Sequence, residues 1–457
     1  MCNKKLVLSA IIVVSMTVLA SIIFFGMSAQ PVYRTGGATS SVIISSNSVF
    51  KPDTQKSLSQ TYGNTYYVSG NGNDGNSGKT PAGAFGNISY ALSAVPPGSR
   101  IIIEPGIYVF NQPLIINKSV YLVSDSGKYW NSHVYLKAAR NQINLNGRPA
   151  SVFQLGGSPN PSSYTGNLVT NVTIKGLNFQ GAGIEVPGTG AGYLTIAQNS
   201  FRNLYVEAIG YHGNPVGYSS PFPVDNFINI IGNQVYNVSG FPNSGMWLGN
   251  LQNSSIMYNT VENTSYAGII MTGTTAGSSI GFEANNYIVG NRVANIPQQG
   301  IQIAFGSNVM VLGNTISHAG SGGTTVGKDA AISLFNPDQT NIVMEYNVLA
   351  NSSEGLGVSQ KGVSFSNNSL GSGIVFTHND IIGNGIGVYN NAGSGTLNAS
   401  DNWWGLHIYP VENESNGYAG SVNIGYVSHH PFNPESNNYA GMAPDETREI
   451  SAKSRIM

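Results

Sequence analysis

The stretch that decides the fold is NRVANIPQQGIQIA, residues 291–304. It contains an asparagine, any residue and a bulky apolar residue, followed by an apolar run that opens on glycine. The asparagine and its apolar partner recur eight times along the chain, and a small residue, Gly or Ala, opens the apolar run that follows in seven of them. The eight asparagines are Asn199, Asn233, Asn259, Asn291, Asn314, Asn347, Asn379 and Asn402. One position of each unit requires an amide and another a bulky apolar side chain, so the pattern indicates a structural repeat.

The length of the repeat is irregular. Successive asparagines are 34, 26, 32, 23, 33, 32 and 23 residues apart. Helical-hairpin arrays keep one length, whereas coils of β-strand keep their strands and vary their loops. The apolar partners are Phe201, Val235, Val261, Val293, Ile316, Leu349, Ile381 and Trp404. The spacing therefore predicts stacked β-coils with these eight side chains in one inward column.

A second strand comes into register when the coils are aligned on the asparagines. Its pattern, small, apolar, variable, apolar, runs from Gly183–Val186 to Gly385–Val388. A period of two places alternate side chains inside the coil. The asparagine itself is expected at a bend, because it tolerates left-handed backbone and its amide can reach the next coil, about 4.8 Å away.

The start of the array has the pattern of a cap. Phe85, Ile88, Leu92 and Val95 fall at helical spacing, and Pro96–Gly98 ends the run. A short helix here would cover the open end of a stack of coils, which otherwise exposes unpaired strand edges.

Several of these segments resemble a known family. Tyr66–Ser69, Gly72–Asp74 and Pro105–Tyr108 are similar to the cap and first coil of pectin lyase-like proteins, and Asp401–Gly405 resembles repeats of their extracellular members. The resemblance covers Thr65–Pro431 and implies an all-β fold, a single-stranded right-handed parallel β-helix. The superfamily contains lyases, hydrolases, epimerases, phage fibres, adhesins and non-catalytic surface proteins, so the resemblance leaves the activity open.

The two ends of the chain differ in composition from the array. Lys4 and Lys5 precede the apolar run Leu6–Phe25, which predicts either a cleaved signal peptide or a membrane anchor within residues 1–29. Residues 30–64 are predicted to be a Ser/Thr-rich linker, 65–431 the β-helix and 432–457 a polar tail. The expected location is extracellular, secreted or anchored to a membrane through the N-terminal segment.

The chain is poor in charge. Charged residues make up 9% of it and the formal net charge is −1, whereas a typical globular protein has about a quarter. Nucleic acid is therefore not an expected partner. The one cysteine, Cys2, precedes the apolar run, so the exported part forms no disulfide.

Metal ligands do not cluster in the aligned coils. Asp225, Asp329 and Asp338 occur singly in inserted loops and are interpreted as solvated turn residues. Calcium, which β-helix lyases often hold with several Asp side chains, remains possible, but the sequence shows no ligand cluster and we predict no cofactor.

The highest local concentration of polar side chains is made by Glu185, Glu207, Arg202 and His212, which are the candidate catalytic residues. The alignment puts Glu207 one coil beyond Glu185 and three residues earlier, roughly 11 Å away. Glycosidases need two carboxylates about 5.5 Å apart, or roughly 6.5 to 9.5 Å in inverting enzymes.

Two further pairs follow from the alignment. Arg202 and Glu262 share a column with Tyr236 between them, so their long side chains could meet over the tyrosine, and such an exposed pair would contribute about 0 to 1 kcal/mol. His378 and Asp401 each precede their asparagine on consecutive coils, which predicts side-chain contact. Both pairs are interpreted as structural.

Aromatic residues on the outward columns are the candidates for binding substrate. Trp247, Phe335 and Tyr389 lie there, and aromatic rings stack on sugar faces. The sequence thus favours an exported, surface-tethered, non-catalytic module that contacts glycan or cell envelope. The alternatives are a polysaccharide-active enzyme and a component of a surface filament or lattice.

Overall fold

Short strands separated by bends make up the computed structural model of the chain. It describes residues 63–138, 151–156, 169–186, 192–211, 225–240, 243–249, 251–272, 275–276, 279–280, 283–322, 329–335, 339–359, 370–405 and 409–433. These residues belong to the second of two units, 1–61 and 62–457, into which the chain divides. The predicted signal or anchor, the linker up to residue 62, the tail beyond residue 433 and His212 lie outside the described residues.

Strands are numbered in chain order, and most of them fall into three sheets. Sheet A contains β1 (Thr65–Val68), β2 (Ser99–Ile103), β5 (Val120–Ser124), β8 (Thr170–Lys175), β11 (Gly192–Ala197), β14 (Asp225–Asn226), β15 (Asn229–Ile231), β18 (Leu251–Gln252), β19 (Ser255–Met257), β24 (Glu283–Val289), β27 (Gly306–Leu312), β30 (Thr340–Glu345) and β33 (Val375–Thr377). In each coil of the repeat, the chain leaves its sheet A strand and passes almost directly to the repeated asparagine.

Sheet B follows the asparagine. It contains β3 (Gly106–Phe110), β6 (Val134–Ala138), β9 (Asn178–Gly181), β12 (Ser200–Leu204), β16 (Gln234–Val238), β20 (Thr260–Glu262), β25 (Arg292–Ile296), β28 (Thr315–Ala319), β31 (Val348–Ala350), β34 (Asp380–Ile382), β37 (Asn402–Trp403) and β40 (Val427–Ser428).

Sheet C completes each coil. It contains β4 (Leu114–Ile116), β7 (Phe153–Leu155), β10 (Ile184–Val186), β13 (Ile209–Tyr211), β17 (Met246–Gly249), β21 (Ile269–Thr272), β26 (Ile301–Ala304), β29 (Ala330–Phe335), β32 (Glu354–Ser359), β35 (Ile386–Asn390) and β38 (Tyr418–Gly420). Two small pairs lie outside the sheets: β22 (Thr275–Ala276) with β23 (Ser279–Ile280), and β36 (Leu397–Asn398) with β39 (Val422–Asn423).

Neighbouring strands in all three sheets are parallel and come from successive coils. For example, β24 pairs with β27, β25 with β28 and β26 with β29. The predicted parallel β-helix is therefore confirmed. The predicted inward column is confirmed too, since Phe201 pairs with Val235 and the register continues through Val261, Val293, Ile316 and Leu349 to Ile381, all fully buried.

The eight asparagines form a buried ladder between sheets A and B. Asn314 is representative: its Oδ1 accepts from the backbone N and the Nδ2 of Asn291, both at 2.9 Å. Its own Nδ2 donates to the carbonyl of Ile288 at 2.9 Å and to Oδ1 of Asn347 at 3.0 Å. Each amide thus satisfies backbone groups that the bend leaves without strand partners.

The expectation that the ladder asparagine itself is left-handed is wrong. The positive φ falls on the residue before it, as at Gly313 (φ 61°), Tyr346 (58°), His378 (58°) and Asp401 (57°). The left-handed residue turns the chain, and the asparagine that follows keeps ordinary backbone geometry. Its buried amide then accepts from the coil before and donates to the coil after.

The small residue that opens each sheet C strand is needed for packing. A Cβ atom on Gly300 would lie 2.5 Å from Cγ2 of Ile316 and 2.6 Å from the carbonyl oxygen of Ala331. The inward column of sheet B therefore packs directly on this backbone, and a side chain at Gly300 would displace it.

The N-terminal end carries the predicted capping helix, α1 (Ile88–Ala94), which buries Ile88, Ala91 and Leu92. Lys118 Nζ donates to the carbonyls of Ser93 and Val95 at its C-terminal end. Among the described residues no helix is long and apolar enough to cross a membrane.

The C-terminal end is tied to the outside of sheet B. The buried carboxylate of Asp380 accepts from the backbone N of Phe432 and of Asn433, both at 2.8 Å. The Phe432 ring packs against a small apolar cluster made by Val348, Ala350, Ile382 and Trp403.

Candidate functional site: the outer face of sheet C

The outward side chains of sheet C form one continuous column, which we call the outer column. Its members pair from coil to coil in the order Ile115, Gln154, Glu185, Gly210, Trp247, Ile270, Gln302, Ser333, Gly357, Tyr389 and Ala419. From Gly210 to Ala419 this column holds no charged residue. The adjacent column is uncharged as well where it is described, through Gly249, Thr272, Ala304, Phe335 and Ser359.

The position of Tyr389 corrects the sequence alignment. Gly357 pairs with Tyr389 and Leu356 with Val388, so the last aligned strand is shifted by two residues from the predicted Gly385–Val388. The small residue at this corner is Gly387, because a Cβ atom there would lie 2.5 Å from the Trp404 ring. Tyr389 therefore stands in the same column as Trp247, five coils away, roughly 24 Å.

The outer column is exposed at Ile115, half-buried at Glu185, Trp247 and Tyr389, and buried at its other positions. Ile270, Gln302 and Ser333 point outward by register but are buried. Phe335, in the adjacent column, is half-buried like Trp247 and Tyr389. The three predicted substrate-binding aromatics therefore lie on the same face, with Trp247 and Tyr389 in one line.

Glu185 is the charged residue of this column. It lies beside Gly210, and its Oε2 accepts from Ser151 Oγ at 2.9 Å. The carboxylate is therefore held from the preceding coil, and the following coil places a glycine beside Glu185.

Glu207 does not join Glu185 on the strand face. The predicted register is confirmed, since Glu185 pairs with Gly210, three residues after Glu207. Glu207 lies before β13 begins, on the connection from sheet B to sheet C, whereas Glu185 lies within β10. The two carboxylates therefore stand on different parts of their coils.

Arg202 lies on sheet B and not beside Glu185. Its Nε donates to Ser200 Oγ at 3.1 Å, one terminal nitrogen donates to Gln234 Oε1 at 3.3 Å, and the guanidinium lies 5.8 Å from the centre of the Tyr236 ring. The predicted column of Arg202, Tyr236 and Glu262 is confirmed. Glu262 Oε1 pairs with Arg292 Nε, from the next coil, at 3.5 Å.

His378 likewise has different neighbours from those predicted. Its ring stacks on Tyr346 at 5.4 Å and meets Phe432 edge-on at 5.0 Å. Its Nδ1 is 3.9 Å from Glu345 Oε1, while Asp401 contacts His378 through a backbone hydrogen bond. The arrangement is structural, and it fastens the C-terminal segment.

One buried polar group, at Asp329, is not indicated by the sequence pattern. Asp329, expected to be a solvated turn residue, is buried and accepts from Gln299 Nε2 at 3.2 Å. Burial raises the pKa of the Tyr266 hydroxyl and the Asp329 carboxylate raises it further, which places the two groups close together. Glu354, beside Ala330 on the next coil, is buried as well. The composition of each loop, taken one coil at a time, does not indicate that these two carboxylates are buried.

Candidate metal ligands do not cluster in the described ranges. Across the described ranges no three His, Cys, Asp or Glu residues lie close enough together to hold a metal ion.

Comparison with known proteins decides the family. The family model for the right handed beta helix region matches residues 162–323 and 223–403, which together make up more than half of the 457 residues. The chain belongs to this family. Its coils are therefore right-handed, as the resemblance to pectin lyase-like proteins implied. No functionally curated protein matches the chain in sequence.

Solved structures similar to this β-helix have varied roles. The pectate lyase Pel9A is 14% identical with a TM-score of 0.45, covering 81% of this chain and 80% of its own. A GH87 α-1,3-glucanase catalytic domain is 14% identical with a TM-score of 0.47, covering 75% and 67%. PfbA, a surface adhesin of Streptococcus pneumoniae, is 13% identical with a TM-score of 0.46, covering 71% and 77%. Likeness at this level concerns the fold and carries no argument about activity.

Proposed function

We propose that this chain is an exported β-helix module that binds neutral glycan or cell-envelope polysaccharide on the outer face of sheet C and does not cleave it. The observation that carries the proposal is the composition of that face. Its outer column is uncharged from Gly210 to Ala419, and its large half-buried side chains, Trp247, Phe335 and Tyr389, are aromatic.

Neutral saccharides need the kind of surface that this face offers. Their ring faces present C–H groups that pack on aromatic rings, which offer a large apolar contact area. A surface without charges keeps the desolvation cost of binding low. Trp247 and Tyr389, in line along the solenoid axis, would contact a chain polymer at two separated places.

A binding role is supported over cleavage by the positions of the charged candidates. Glycoside hydrolysis requires two carboxylates across one bond, and lyase chemistry requires a base with a cation near the acidic sugar. Glu185 is engaged by Ser151, Glu207 lies off the strand face and Arg202 belongs to another sheet. The apolar run Leu6–Phe25 supports export, and either cleavage or anchoring fits a surface role.

The test uses full-length protein purified in nonionic detergent. Its binding to neutral glucans and mannans is measured by calorimetry beside polygalacturonate, with release of reducing ends and unsaturated products followed in the same samples. We expect binding without product, and a loss of about three- to tenfold in affinity for neutral glucan in Trp247→Ala and in Tyr389→Ala.

The matched control is Tyr409→Ala, which removes an exposed aromatic side chain outside sheet C and is expected to bind normally. Product release that disappears in Glu185→Gln would replace the binding proposal by an enzymatic one. Equal binding by the unmutated protein and both aromatic variants would also overturn it.

A further inference from the structure

A loop at the edge between sheets A and B carries the most exposed tryptophan among the described residues. We call Asp125–His133, which joins β5 to β6, the Trp130 loop. The Trp130 side chain is 51% exposed, whereas Trp403 and Trp404 are buried. Exposing an indole forgoes the stabilisation that its burial would give, so its position calls for a reason other than folding.

The backbone of the Trp130 loop is fixed to the solenoid. The Nδ2 atom of Asn178 lies within hydrogen-bond distance of three loop or strand carbonyls, those of Tyr129, Ser132 and Val134, at 3.4, 3.1 and 3.2 Å. The backbone N of Tyr129 donates to the carbonyl of Gln198 at 3.2 Å. The indole is thus presented by an ordered loop, which lowers the entropy cost of binding a ligand to it.

Two side chains flank the indole. Tyr129 meets it edge-on with ring centres 4.9 Å apart. The Nζ atom of Lys128 lies 5.4 Å from the centre of the indole ring. A cation beside an aromatic face suits a ligand that has both an apolar ring face and a negative group.

More cations surround the loop on the sheet A side. A Cβ atom on Gly176 would lie 2.7 Å from the backbone N of Lys128, so the loop rests on the residue next to Lys175. Lys175 and Arg100 both project from the outer face of sheet A. Burial lowers the pKa of Lys175, and the nearby charges of Lys128 and Arg100 lower it further.

The sheet B side is also positive. Lys137 and Arg202 share an outward column with Gln180 between them. Burial raises the pKa of the Tyr129 hydroxyl and Arg202 opposes that rise, so Arg202 lies close to the loop. Five of the eight Lys and Arg residues in the described part of the chain therefore surround one loop.

We propose that the Trp130 loop is a second binding site, for an anionic saccharide whose ring packs on the indole while its carboxylate or sulfate group is bound by Lys128, Lys175 and Arg100. Charge-assisted hydrogen bonds of this kind are about twice as strong as neutral ones. Sheet C does not border the edge between sheets A and B. The site is therefore separate from the outer column and opposite to it in charge preference.

The test titrates full-length protein in nonionic detergent with dextran sulfate and with polygalacturonate, and with unmodified dextran as the neutral reference. We expect at least one anionic polymer to bind about tenfold more tightly than dextran at low salt, with affinity that falls as salt screens the cations. The tighter of the two anions identifies the preferred group. Bound polymer should also protect a tryptophan from acrylamide quenching.

Variants locate the binding. Trp130→Ala should weaken it about three- to tenfold and remove the protection from acrylamide, while Trp130→Phe retains a ring and most of the affinity. Lys175→Gln should weaken it by a similar factor and flatten its salt dependence. Tyr426→Ala, which removes an aromatic at the far end that is somewhat more exposed than Trp130, is the control and should bind normally.

The proposal fails if neither anion binds, or if Trp130→Ala and Lys175→Gln bind both anions like the unmutated protein. It also fails if Tyr426→Ala loses as much affinity as Trp130→Ala. Dextran is itself a neutral glucan, so the variants separate the two proposals: Trp247→Ala should weaken dextran binding and leave anion binding unchanged, and Trp130→Ala should do the reverse.

Discussion

Two ladders of asparagine run along this solenoid and differ in burial and in backbone conformation. The buried ladder includes Asn314, whose amide makes four hydrogen bonds inside the bend. The outer ladder lies near the start of the sheet A segments and is exposed. Its members are Asn253, Asn285, Asn308 and Asn341. Its amides also bond from coil to coil, at 3.0 to 3.2 Å.

The difference shows that one residue type meets two separate needs. Outer-ladder asparagines are themselves left-handed, with φ between 51° and 55°, so they supply backbone conformation. Buried-ladder asparagines leave that conformation to the residue before them and supply hydrogen bonds where water cannot. Glycine can also supply the left-handed conformation, but it cannot supply the buried hydrogen bonds.

The largest effect should come from Asn314→Ala. It leaves the backbone N of Asn291 and the carbonyl of Ile288 without this buried partner, and each lost partner costs about 1–3 kcal/mol. We expect a loss of about 3–5 kcal/mol in the free energy of unfolding, measured by urea denaturation. Asn308→Ala, the same change six residues earlier on the surface, is the matched control. Equal losses in the two variants would contradict the distinction.

A smaller effect should come from the left-handed residue of the buried ladder. Gly313 has φ 61°, and a Cβ atom there meets no neighbour within 4 Å. Gly313→Ala should therefore lose about 1–2 kcal/mol from backbone strain alone. Gly313→Asn should lose less, because asparagine tolerates this conformation. A Gly313→Ala variant as stable as the unmutated protein would remove the strain argument.

The smallest effect should come from Asn308→Gly on the outer ladder. Glycine adopts the same φ without strain, and the exposed hydrogen bonds to Asn285 and Asn341 are replaced by bonds to water. We expect a loss of about 0.5 kcal/mol, against about 1–2 kcal/mol for Asn308→Ala. If the glycine variant loses as much as Asn314→Ala, the exposed amides are stabilising the coil directly.

The sequence predicts the buried ladder and its core column well, because both repeat with one residue type at one position. It does not show which residue is left-handed, since Gln198, Gly232, Tyr258, Gly290 and His378 share no side-chain property. This conformation is imposed by the bend and not by the residue.

The candidate site was less predictable than the fold. Register along a column is visible in the sequence, and Glu185, Gly210 and Trp247 fall as predicted. The shift at Tyr389 was hidden because Gly385 and Gly387 both satisfy the small position, and only Trp404 distinguishes them. Diagonal contacts such as Glu262 with Arg292 cannot be predicted from column register, which relates only residues directly opposite each other. Trp130 lies ahead of the first ladder asparagine, so the asparagine alignment assigns it no position in a column.

The carboxylate of Asp380 has a consequence for the order in which the chain matures. Coils pair with their neighbours, so they can stack in sequence from the N-terminal end. Asp380 is an exception, because its two backbone donors belong to residues 432 and 433, more than fifty positions later. Until those residues arrive, a carboxylate destined for full burial stays hydrated and the outside of the last coils stays open. The arrival of residues 432 and 433, and not the stacking of coils, therefore completes the burial of Asp380.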